Sequence, residues 1–400
     1  MKIAILTSGI LPVPAVQGGA VENLIDFYLE YNNQHHLHDI TVYSIWNSKV
    51  DNHLALKSEV NHYFYIKVTG WWAKLKKKWY HFFHGEEYYH YTIEYYLHEA
   101  IKNIQKKYFD IIIIENRPAY SLKLQKITNA KLVYHLHNEK LDIHTPKAHE
   151  IYDAATSILV VSDYIKRCVK TIEPFDTKTK TIHNGIDLSA FSYNVEVNRS
   201  SLGLHTDDFV MVFSGRINRE KGIMELIKAM SLLKDYSRIK LMIIGSSFFG
   251  NATNDDTFIS TLKAKARSMK ESIIFTGFIP YHDMPYYLKM ADIAVIPSIW
   301  NDPFPTTVLE AQAMGLPIIT TNRGGIPEEV TENNSIMLET NEQFVENLVA
   351  AILDLYEHPE KRKQMSKASF KQSMLFEKKI YSKKLFSAID ELNDTIKMEI

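Results

Sequence analysis

Short, continuous apolar runs that alternate with segments of helical periodicity constrain the fold of this chain more than any other feature. The first series covers residues 2–6, 40–44, 110–114, 131–136, 157–161 and 179–183, and the second covers residues 209–214, 240–244, 273–276, 292–297, 317–321 and 335–338. Strands that are apolar along their whole length are typical of parallel sheets with helices on both faces. The two series therefore predict two doubly wound α/β domains, each with its ligand-binding edge at the carboxyl ends of its strands.

The length of the chain supports two domains, because 400 residues exceed what a single hydrophobic core usually serves. A polar stretch at 187–208 lacks clear periodicity, and we place the boundary there, with a first domain at 1–190 and a second at 191–375. The last segment, about 376–400, has helical spacing of its apolar residues, which are Ile380, Leu385, Phe386, Ile389 and Leu392. This pattern leaves open on which domain the helix packs, a return to the first domain being one arrangement.

Charge and cysteine content exclude several classes of protein. Lysine and arginine number 46 and aspartate and glutamate number 47, so no global basic field favours nucleic acid as a partner. The single cysteine, Cys168, excludes an intramolecular disulfide and a cysteine-based zinc site, and it suits a reducing compartment. No apolar run reaches the roughly 18 residues of a membrane-spanning helix. The first run ends at Leu6 and precedes polar residues and prolines, so we expect a strand rather than a signal peptide, and a cytoplasmic protein.

A glycine pair follows the first predicted strand. Gly18 and Gly19 precede a segment with helical periodicity that begins at Ala20. Two glycines at such a turn let the backbone approach a ligand, and the amide end of the helix favours an anion. Glycine pairs are as often purely structural, and no GxGxxG sequence supports a dinucleotide site here.

Two cations stand at the start of the second series. Arg216 follows the strand at 209–214, and Lys221 stands where we expect the next helix to open, within Glu220–Gly222. Two cations five residues apart at a strand end and a helix start can straddle a diphosphate and neutralise a leaving group. The alternative is a pair of solvated cations on a loop, and the spacing alone does not choose between them.

Two carboxylates eight residues apart flank the start of a later helix. Asp302 lies in the loop after the strand that ends at Pro297, and Glu310 lies one turn inside a helix that begins near Thr306. This placement lets both side chains reach one pocket. Gly315 is a plausible end of the helix, and residues 322–328 form a second glycine-rich turn.

Together these motifs resemble family 4 glycosyltransferases of the GT-B fold. The resemblance is carried by Gly215-Arg216 with Lys221, by the acidic-x7-Glu element from Asp302 to Glu310, by the LEAxAxGxP run at 309–317 and by GGxPE at 324–328. The segments at 12–20, 115–120 and 136–139 are similar to the bacterial polysaccharide-synthesis branch of spore-coat-protein-SA-like enzymes. The resemblance spans roughly residues 1–395 and implies two Rossmann-like domains that face a central cleft.

The resemblance also implies roles for individual residues. In the donor half, Arg216 and Lys221 would hold the diphosphate, Glu310 would bind the ribose, and Asp302 stands where the family has a glutamate that contacts sugar hydroxyls. In the first half, Gly18 and Gly19 match a loop near the donor phosphates, and His137 matches a histidine near the sugar. His137 can instead be an ordinary core histidine, and His135, which should face the same way, competes for the role.

We therefore expect a retaining glycosyltransferase that moves a sugar from a nucleotide sugar, with uridine donors favoured, to a glycan or lipid-linked acceptor in bacterial surface polysaccharide synthesis. The two cations and the helix amides of Thr306, Thr307 and Val308 would stabilise the leaving group, so no metal or other cofactor is expected. The aspartate pairs at 207–208 and 255–256 are interpreted as surface turns. The alternative is a non-catalytic nucleotide-sugar-binding or coat-assembly protein on the same fold, suggested by Asp302.

One segment, residues 71–85, has no counterpart in these motifs. Trp72, Leu75, Trp79 and the Phe82-Phe83 pair follow helical spacing. Lys74, Lys76, Lys77 and Lys78 add four positive charges without an acid. A basic helix with tryptophans is typical of an element at an anionic membrane surface. The alternative is a core-facing helix with a solvated lysine face.

Overall fold

The computed structural model describes residues 1–84, 88–192, 194–246 and 257–398. The chain divides into two compact units, the first formed by Met1–His183 with Tyr381–Ile400 and the second by Asn184–Ile380. The units therefore separate at residue 184, earlier in the chain than the polar stretch at 187–208. Of the two aspartate pairs, Asp207 is exposed and Asp208 buried, whereas the pair at 255–256 lies outside the described residues.

Strands and helices alternate through both units, as the apolar runs predicted. The strands are β1 Lys2–Leu6, β2 Asp39–Ile45, β3 Asn61–Ile66, β4 Ile111–Glu115, β5 Lys131–Leu136, β6 Ser157–Val160, β7 Thr179–Thr181, β8 Phe209–Ser214, β9 Ile239–Ile244, β10 Ile273–Gly277, β11 Ile293–Ile296, β12 Ile318–Thr321 and β13 Ser335–Leu338. The helices are α1 Ala20–His35, α2 Trp71–His84, α3 Tyr91–Ile104, α4 Ser121–Leu124, α5 Ala148–Ala154, α6 Asp163–Lys170, α7 Ile223–Leu232, α8 Thr257–Ala266, α9 Met284–Lys289, α10 Thr306–Ala313, α11 Phe344–Glu357, α12 Pro359–Ser373 and α13 Lys378–Met398.

The described residues of each unit form one parallel sheet. In the described residues of unit 1 the strand order is β3-β2-β1-β4-β5-β6-β7, and in those of unit 2 it is β10-β9-β8-β11-β12-β13. In both sheets the order reverses direction at a central strand, β1 in unit 1 and β8 in unit 2. Ligands of doubly wound sheets bind at the carboxyl ends of the strands beside such a reversal. The segments after β1, β4, β8 and β11 are therefore the places to look for a site.

The edge strand β3 escaped the sequence analysis. It pairs with β2 in parallel, and along its length the ends are buried while the middle is partly exposed. Its sequence, NHYFYI, mixes polar and aromatic residues because only one side of an edge strand is fully covered. A search for continuous apolar runs could not find it.

The C-terminal helix α13 returns to unit 1. Tyr381, Leu385, Phe386 and Ile389 are buried in the core of that unit. The expected apolar stripe is wrong at one position, because Ile380 is 40% exposed. Tyr381, one residue later, takes the buried place. Within the described residues, every helix is too short or too polar to span a bilayer.

Candidate functional site

The Gly18-Gly19 turn stands at the start of α1, where the sequence predicted a close backbone approach. Both residues have positive φ, 77° at Gly18 and 111° at Gly19, a conformation that side chains disfavour. A Cβ on Gly19 would lie 2.1 Å from Glu22 Oε2, whereas one on Gly18 would meet no described atom within 4 Å. The positive φ therefore accounts for Gly19, and the space beside Gly18 is open.

A carboxylate and two histidines meet at the carboxyl ends of β4 and β5. Glu115, the last residue of β4, lies 3.1 Å from His135 Nδ1 through Oε1 and 3.1 Å from His137 Nε2 through Oε2. The two imidazole rings are 4.2 Å apart, which confirms that His135 and His137 face the same way. Tyr28 of α1 donates its hydroxyl to Glu115 Oε1 at 2.8 Å. We call Tyr28, Glu115, His135 and His137 the histidine cluster.

The charges in the histidine cluster follow from this geometry. Burial alone would raise the pKa of Glu115, but the charge and hydrogen bonds of His135 and the bond to His137 hold that pKa well below its ordinary value. Burial, and next the charge of His135, lower the pKa of His137 to about 4. Near pH 7, Glu115 is therefore ionised and His137 is neutral.

The histidine cluster also has the composition of a metal site. Glu115, His135 and His137 each offer a ligand atom within 4.8 Å of the others. A metal-bound histidine usually donates its second ring nitrogen to a partner. Among the described residues, His135 Nε2 and His137 Nδ1 have no such partner. A hydrogen-bonded network fits these residues better than a metal centre does.

Glu115 and Tyr28 were not singled out by the sequence analysis. Glu115 ends an otherwise all-isoleucine strand, and an acid at the carboxyl end of a buried strand is a signal of function. Tyr28 lies on a helix with an ordinary apolar pattern, and only the fold brings it to Glu115.

In unit 2, the cations flank a tightly packed turn after β8. Arg216 is exposed, and Lys221 ends a short 3₁₀ turn, Arg219–Lys221. Helix α7 begins only at Ile223, so the expectation that residues 220–222 open the helix is wrong. The cause is Gly222, whose φ of 70° interrupts the helix and whose Cβ would lie 1.8 Å from the carbonyl oxygen of Pro297.

Lys221 and Asp302 are bonded to each other. Lys221 Nζ donates to Asp302 Oδ2, and the two side chains are 17% and 6% exposed. The Lys221 ammonium also lies 5.9 Å from the centre of the Trp300 ring. We call Lys221 and Asp302 the ion pair. It brings together a proposed diphosphate contact and a proposed sugar contact.

The second glycine-rich turn supports the loop that carries Asp302. Gly324 has a φ of 59°, and a Cβ there would lie 2.1 Å from the carbonyl oxygen of Asp302. The Gly325 amide donates to the same oxygen at 2.7 Å. The GGxPE motif therefore has a structural use, which is to fix the backbone at Asp302.

Glu310 has different neighbours from Asp302. It is buried in α10, and burial raises its pKa to about 8 against an opposing hydrogen bond from Thr306. Its charge in turn helps to raise the pKa of Tyr281, whose main cause is burial. The two carboxylates of the acidic-x7-Glu element thus have separate partners. Near neutral pH, Glu310 holds its proton, so it can both donate and accept a hydrogen bond.

The ends of α10 define which amides are available. The Val308 amide donates to the Pro305 carbonyl at 3.0 Å, which leaves the amides of Thr306 and Thr307 as the first-turn donors. At the other end, Gly315 has a φ of 66° and its amide donates to Gln312 at 2.9 Å. This geometry confirms Gly315 as the end of the helix.

Glu329 is a further acid that the sequence analysis missed. It is fully buried, and neither carboxylate oxygen has a hydrogen-bond partner among the described residues. Burial, followed by the charges of Asp302 and Glu328, raises its pKa well above the ordinary value. These effects favour the protonated form of Glu329. The residue directly follows the GGxPE motif and has no sequence pattern of its own.

Helix α2 exposes the aromatic residues that the sequence analysis grouped. Trp72, Trp79 and Phe82 are 69%, 62% and 81% exposed, whereas Ala73 and Tyr80 are buried. The interpretation of a core-facing aromatic stripe is therefore wrong, because the face of the helix that packs inward is the one with Ala73 and Tyr80. Lys74, Lys76 and Lys78 are exposed and Lys77 is partly exposed, while Gly85 lies outside the described residues.

Known proteins are similar to this chain over most of its length. The chain is 29% identical over 388 residues to spore coat protein SA of Bacillus subtilis (strain 168), covering 93% of this chain and 94% of that protein. It is 31% identical over 346 residues to the putative glycosyltransferase YtcC of the same organism, covering 82% of this chain and 77% of that protein.

Solved structures share the fold. The crystal structure of Anabaena Alr3699/HepE in complex with UDP and glucose has a TM-score of 0.73 at 18% identity, covering 98% of this chain and 99% of that one. Sucrose-phosphate synthase (tll1590) from Thermosynechococcus elongatus has a TM-score of 0.76 at 16% identity, covering 99% and 100%. These neighbours confirm the GT-B fold, with its two Rossmann-like domains.

A family model assigns the second half of the chain. Residues 194–372 match the family described as glycosyl transferases group 1. This range contains the ion pair, Arg216 and Glu310. Together with the full-length relatives, the match shows that this chain belongs to the group 1 glycosyl transferases.

Proposed function

We propose that this chain is a retaining hexosyltransferase of family 4 that transfers a sugar from a nucleotide sugar, with UDP-sugars favoured, to a glycan or lipid-linked acceptor in bacterial surface polysaccharide synthesis. The single observation that carries the proposal is the ion pair on two glycine-supported loops at the carboxyl edge of the second sheet. The ion pair supports the proposal because a diphosphate-linked sugar needs a cation for its diphosphate and a carboxylate for its sugar hydroxyls.

The donor diphosphate supplies the first step of the argument. Arg216, Lys221 and the amides of Thr306 and Thr307 would meet its charge and stabilise it as a leaving group. Lys221 would leave Asp302 for the diphosphate. The freed carboxylate of Asp302 would then accept hydrogen bonds from sugar hydroxyls.

The remaining residues would complete donor recognition. Glu310, protonated near neutral pH, would bind the ribose hydroxyls through both its donor and its acceptor. The open space at Gly18 suits a backbone approach to the donor phosphates. His137 would contact a hydroxyl of the transferred sugar. Retention is expected from the family, through either front-face departure or a transient covalent step.

Relatives support the choice of donor and acceptor. HepE of Anabaena has been crystallised with UDP-glucose. The putative teichuronic acid biosynthesis glycosyltransferase TuaC of B. subtilis is 30% identical over 208 residues, which cover 51% of this chain and 48% of that protein. These proteins motivate a UDP-sugar donor and a cell-surface glycan product here.

We also propose that transfer needs no divalent metal. Two cations and two helix amides already offset the diphosphate charge, so an added metal has little left to neutralise. Turnover in excess EDTA should equal turnover in untreated enzyme, measured as UDP release with a UDP-sugar and acceptor. Loss of turnover that magnesium or manganese restores would overturn this part of the proposal.

Helix α2 supports a location at the cytoplasmic face of an anionic membrane. Its exposed tryptophans suit the headgroup region, and its lysines suit anionic lipid. Such contact would bring a lipid-linked acceptor to the enzyme.

The test of the function is donor hydrolysis and transfer with a panel of UDP-, GDP- and ADP-sugars. Wild type should release nucleoside diphosphate from one UDP-sugar, and Lys221→Ala should release it about 100- to 1000-fold more slowly. The matched surface variant Lys228→Ala should behave as wild type. A non-catalytic nucleotide-sugar-binding or coat-assembly protein is the second candidate, because Asp302 is one methylene shorter than the family glutamate. Donor binding in calorimetry without turnover in any combination would favour that candidate.

A further inference from the structure

The carboxylate of Glu115 is surrounded by donors. It is fully buried and accepts hydrogen bonds from His135 Nδ1, His137 Nε2 and the Tyr28 hydroxyl, at 3.1, 3.1 and 2.8 Å. An ionised carboxylate has no hydrogen to donate. The hydrogen in each bond to a histidine must therefore belong to the ring nitrogen.

This requirement fixes the tautomer of His137. A neutral imidazole carries one hydrogen, and that hydrogen lies on Nε2, so Nδ1 has a bare lone pair. Among the described residues Nδ1 has no hydrogen-bond partner, and it is shielded from solvent. A buried acceptor without a partner is costly, and the cost is removed when a ligand supplies the donor.

The backbone of His137 is fixed by the residue that follows Glu115. Asn116 has a φ of 61°, and its Oδ1 accepts from the amide of His137 at 3.2 Å and from Asn138 Nδ2 at 2.7 Å. The Asn116 amide donates to the His135 carbonyl at 2.9 Å. Consecutive residues thus hold the ring and the main chain of His137. Such double restraint suits a side chain whose orientation matters for function.

We propose that Glu115 is a positioning residue, which holds His137 in the Nε2–H tautomer so that Nδ1 accepts a hydrogen bond from a hydroxyl of the sugar substrate. This inference rests on the proposed function, because it assumes that His137 meets the sugar. A neutral acceptor of this kind selects substrates that present a hydroxyl at that position. A substrate that presents only an acceptor at that position would form no hydrogen bond with Nδ1.

Two other roles for the histidine cluster give different outcomes. A purely structural network would stabilise the fold without dictating substrate binding. A metal centre would place a metal ion, rather than a hydrogen, on the nitrogens that face Glu115. The experiment must therefore read the ring hydrogen directly.

The direct test is ¹⁵N NMR of the full chain labelled at histidine, with the His137 signals assigned by their absence in His137→Gln. Near pH 7.5 we expect a protonated, pyrrole-type Nε2 and an unprotonated, pyridine-type Nδ1. An Nδ1–H tautomer or an imidazolium at His137 would overturn the proposal. So would signals of wild type, as purified, that change when EDTA removes a bound metal. This measurement needs neither turnover nor a variant of Glu115, so it stands even if the proposed function fails.

The functional test uses Glu115→Gln, whose amide has one acceptor and one donor group where the carboxylate offers only acceptors. One of the two histidines must then change tautomer, and we expect kcat with the preferred UDP-sugar to fall at least about 10-fold. Glu115→Asp should recover part of the loss. The matched control is Tyr134→Phe. Tyr134 lies on β5, the strand that carries His135, and its buried hydroxyl donates to the Ile151 carbonyl of α5.

Each kinetic outcome has a defined meaning. A folded Glu115→Gln variant in which His137 has changed tautomer but kcat is that of wild type would overturn the proposal. So would a fall of kcat in a variant that keeps the wild-type His137 tautomer, because the loss would then not arise from the tautomer. An equal fall of kcat in Tyr134→Phe would show that any disturbance of β5 has the same effect, which also overturns it. If Glu115→Gln does not fold, the wild-type NMR spectrum alone decides.

Discussion

The two units place their functional charges in opposite ways. In the histidine cluster of unit 1, the buried carboxylate of Glu115 accepts hydrogen bonds from three donors on other elements. In unit 2, Lys221 and Asp302 of the ion pair are bonded to each other, on loops held by glycines. The difference indicates that unit 1 presents a preset hydrogen-bonding group. Unit 2 must exchange one partner for another when a ligand binds.

The largest effect expected from this contrast is the loss of turnover in Lys221→Ala. A cation that moves to the leaving group contributes about 3–4 kcal/mol to the transition state, so turnover should fall by about 100- to 1000-fold. The folded state should survive, because the packing of Gly324 and the Gly325 amide hold the backbone at Asp302 without Lys221. Steady-state kinetics and thermal unfolding check the two statements. Near-normal turnover in folded Lys221→Ala would show that the pair is only structural, and Lys228→Ala serves as the control.

The surfaces of the two units extend the comparison. Helix α2 of unit 1 and helix α12 of unit 2 both carry exposed lysines, but of these two helices the described residues show exposed tryptophans only on α2. Changing Lys74, Lys76, Lys77 and Lys78 to glutamine should abolish co-sedimentation with anionic liposomes at low salt, since each lysine contributes up to roughly 1 kcal/mol near the surface. Transfer to a short water-soluble acceptor should stay near the wild-type value.

The control for the liposome experiment is a glutamine triple variant of α12 at Lys363, Lys367 and Lys371. It removes a similar charge from unit 2 and should bind liposomes as wild type does. If wild type does not bind anionic liposomes, the exposed face of α2 has another use and the membrane proposal fails.

A third test separates the two acids of unit 2. Glu310→Ala should weaken free UDP and UDP-sugar alike, by about 1–2 kcal/mol, because a ribose hydrogen bond to a buried group is present in both ligands. Asp302→Ala should leave the affinity for free UDP near that of wild type and impair transfer. Calorimetry with both ligands decides the matter. Equal losses for UDP and UDP-sugar in Asp302→Ala would contradict the separate roles.

The smallest expected effect concerns pH. The pKa of Glu310 is raised to about 8 from an ordinary 4.5, so between these values the folded state holds a proton that the unfolded state releases. The free energy of unfolding therefore falls as pH rises through that window, and the effect is complete above pH 8. Glu310→Gln removes this dependence. Its stability relative to wild type should rise by roughly 1 kcal/mol from pH 7 to pH 8 in denaturant unfolding.

Glu115 of unit 1 changes the free energy of unfolding with pH in the opposite direction. Its folded-state pKa lies below the ordinary value, so its contribution to stability is present above pH 4.5 and is lost as pH falls through the folded-state pKa. The difference between Glu115→Gln and wild type should stay constant from pH 6 to 8. If the stability difference from wild type changed with pH in the same way for Glu115→Gln and Glu310→Gln, the assigned protonation states would be contradicted.

Much of the fold follows from local pattern. Continuous apolar strands located both sheets, and Gly315 was identified as a helix end because the left-handed conformation there favours glycine. The pattern failed at β3, where partial exposure at a sheet edge breaks the apolar run, and at Gly222, where close packing on Pro297 delays the helix. Both failures arise from tertiary contacts that no short window contains.

Some residues of the candidate site could be predicted from sequence motifs, whereas others are brought together only by the fold. Arg216, Lys221, Asp302 and Glu310 form a motif set in sequence, and the roles that the resemblance implies for them stay predictions. Glu115 and Tyr28 lie 87 residues apart and become neighbours only when α1 packs beside β4. Likewise, the bond between Lys221 and Asp302 spans 81 residues. Residue types indicate which groups carry chemistry, but only the fold shows which of them are partners.

Translation begins at the amino end, whereas the core of unit 1 is completed by the last helix. Tyr381, Leu385, Phe386 and Ile389 pack into that core, and the Tyr381 ring lies 6.4 Å from that of His135. A ribosome must therefore synthesise all of unit 2 before unit 1 can close, which takes about 10–40 s at ordinary elongation rates. During this interval the nascent chain exposes the apolar face around Tyr28. The unit that is made first is therefore the one whose core is completed last.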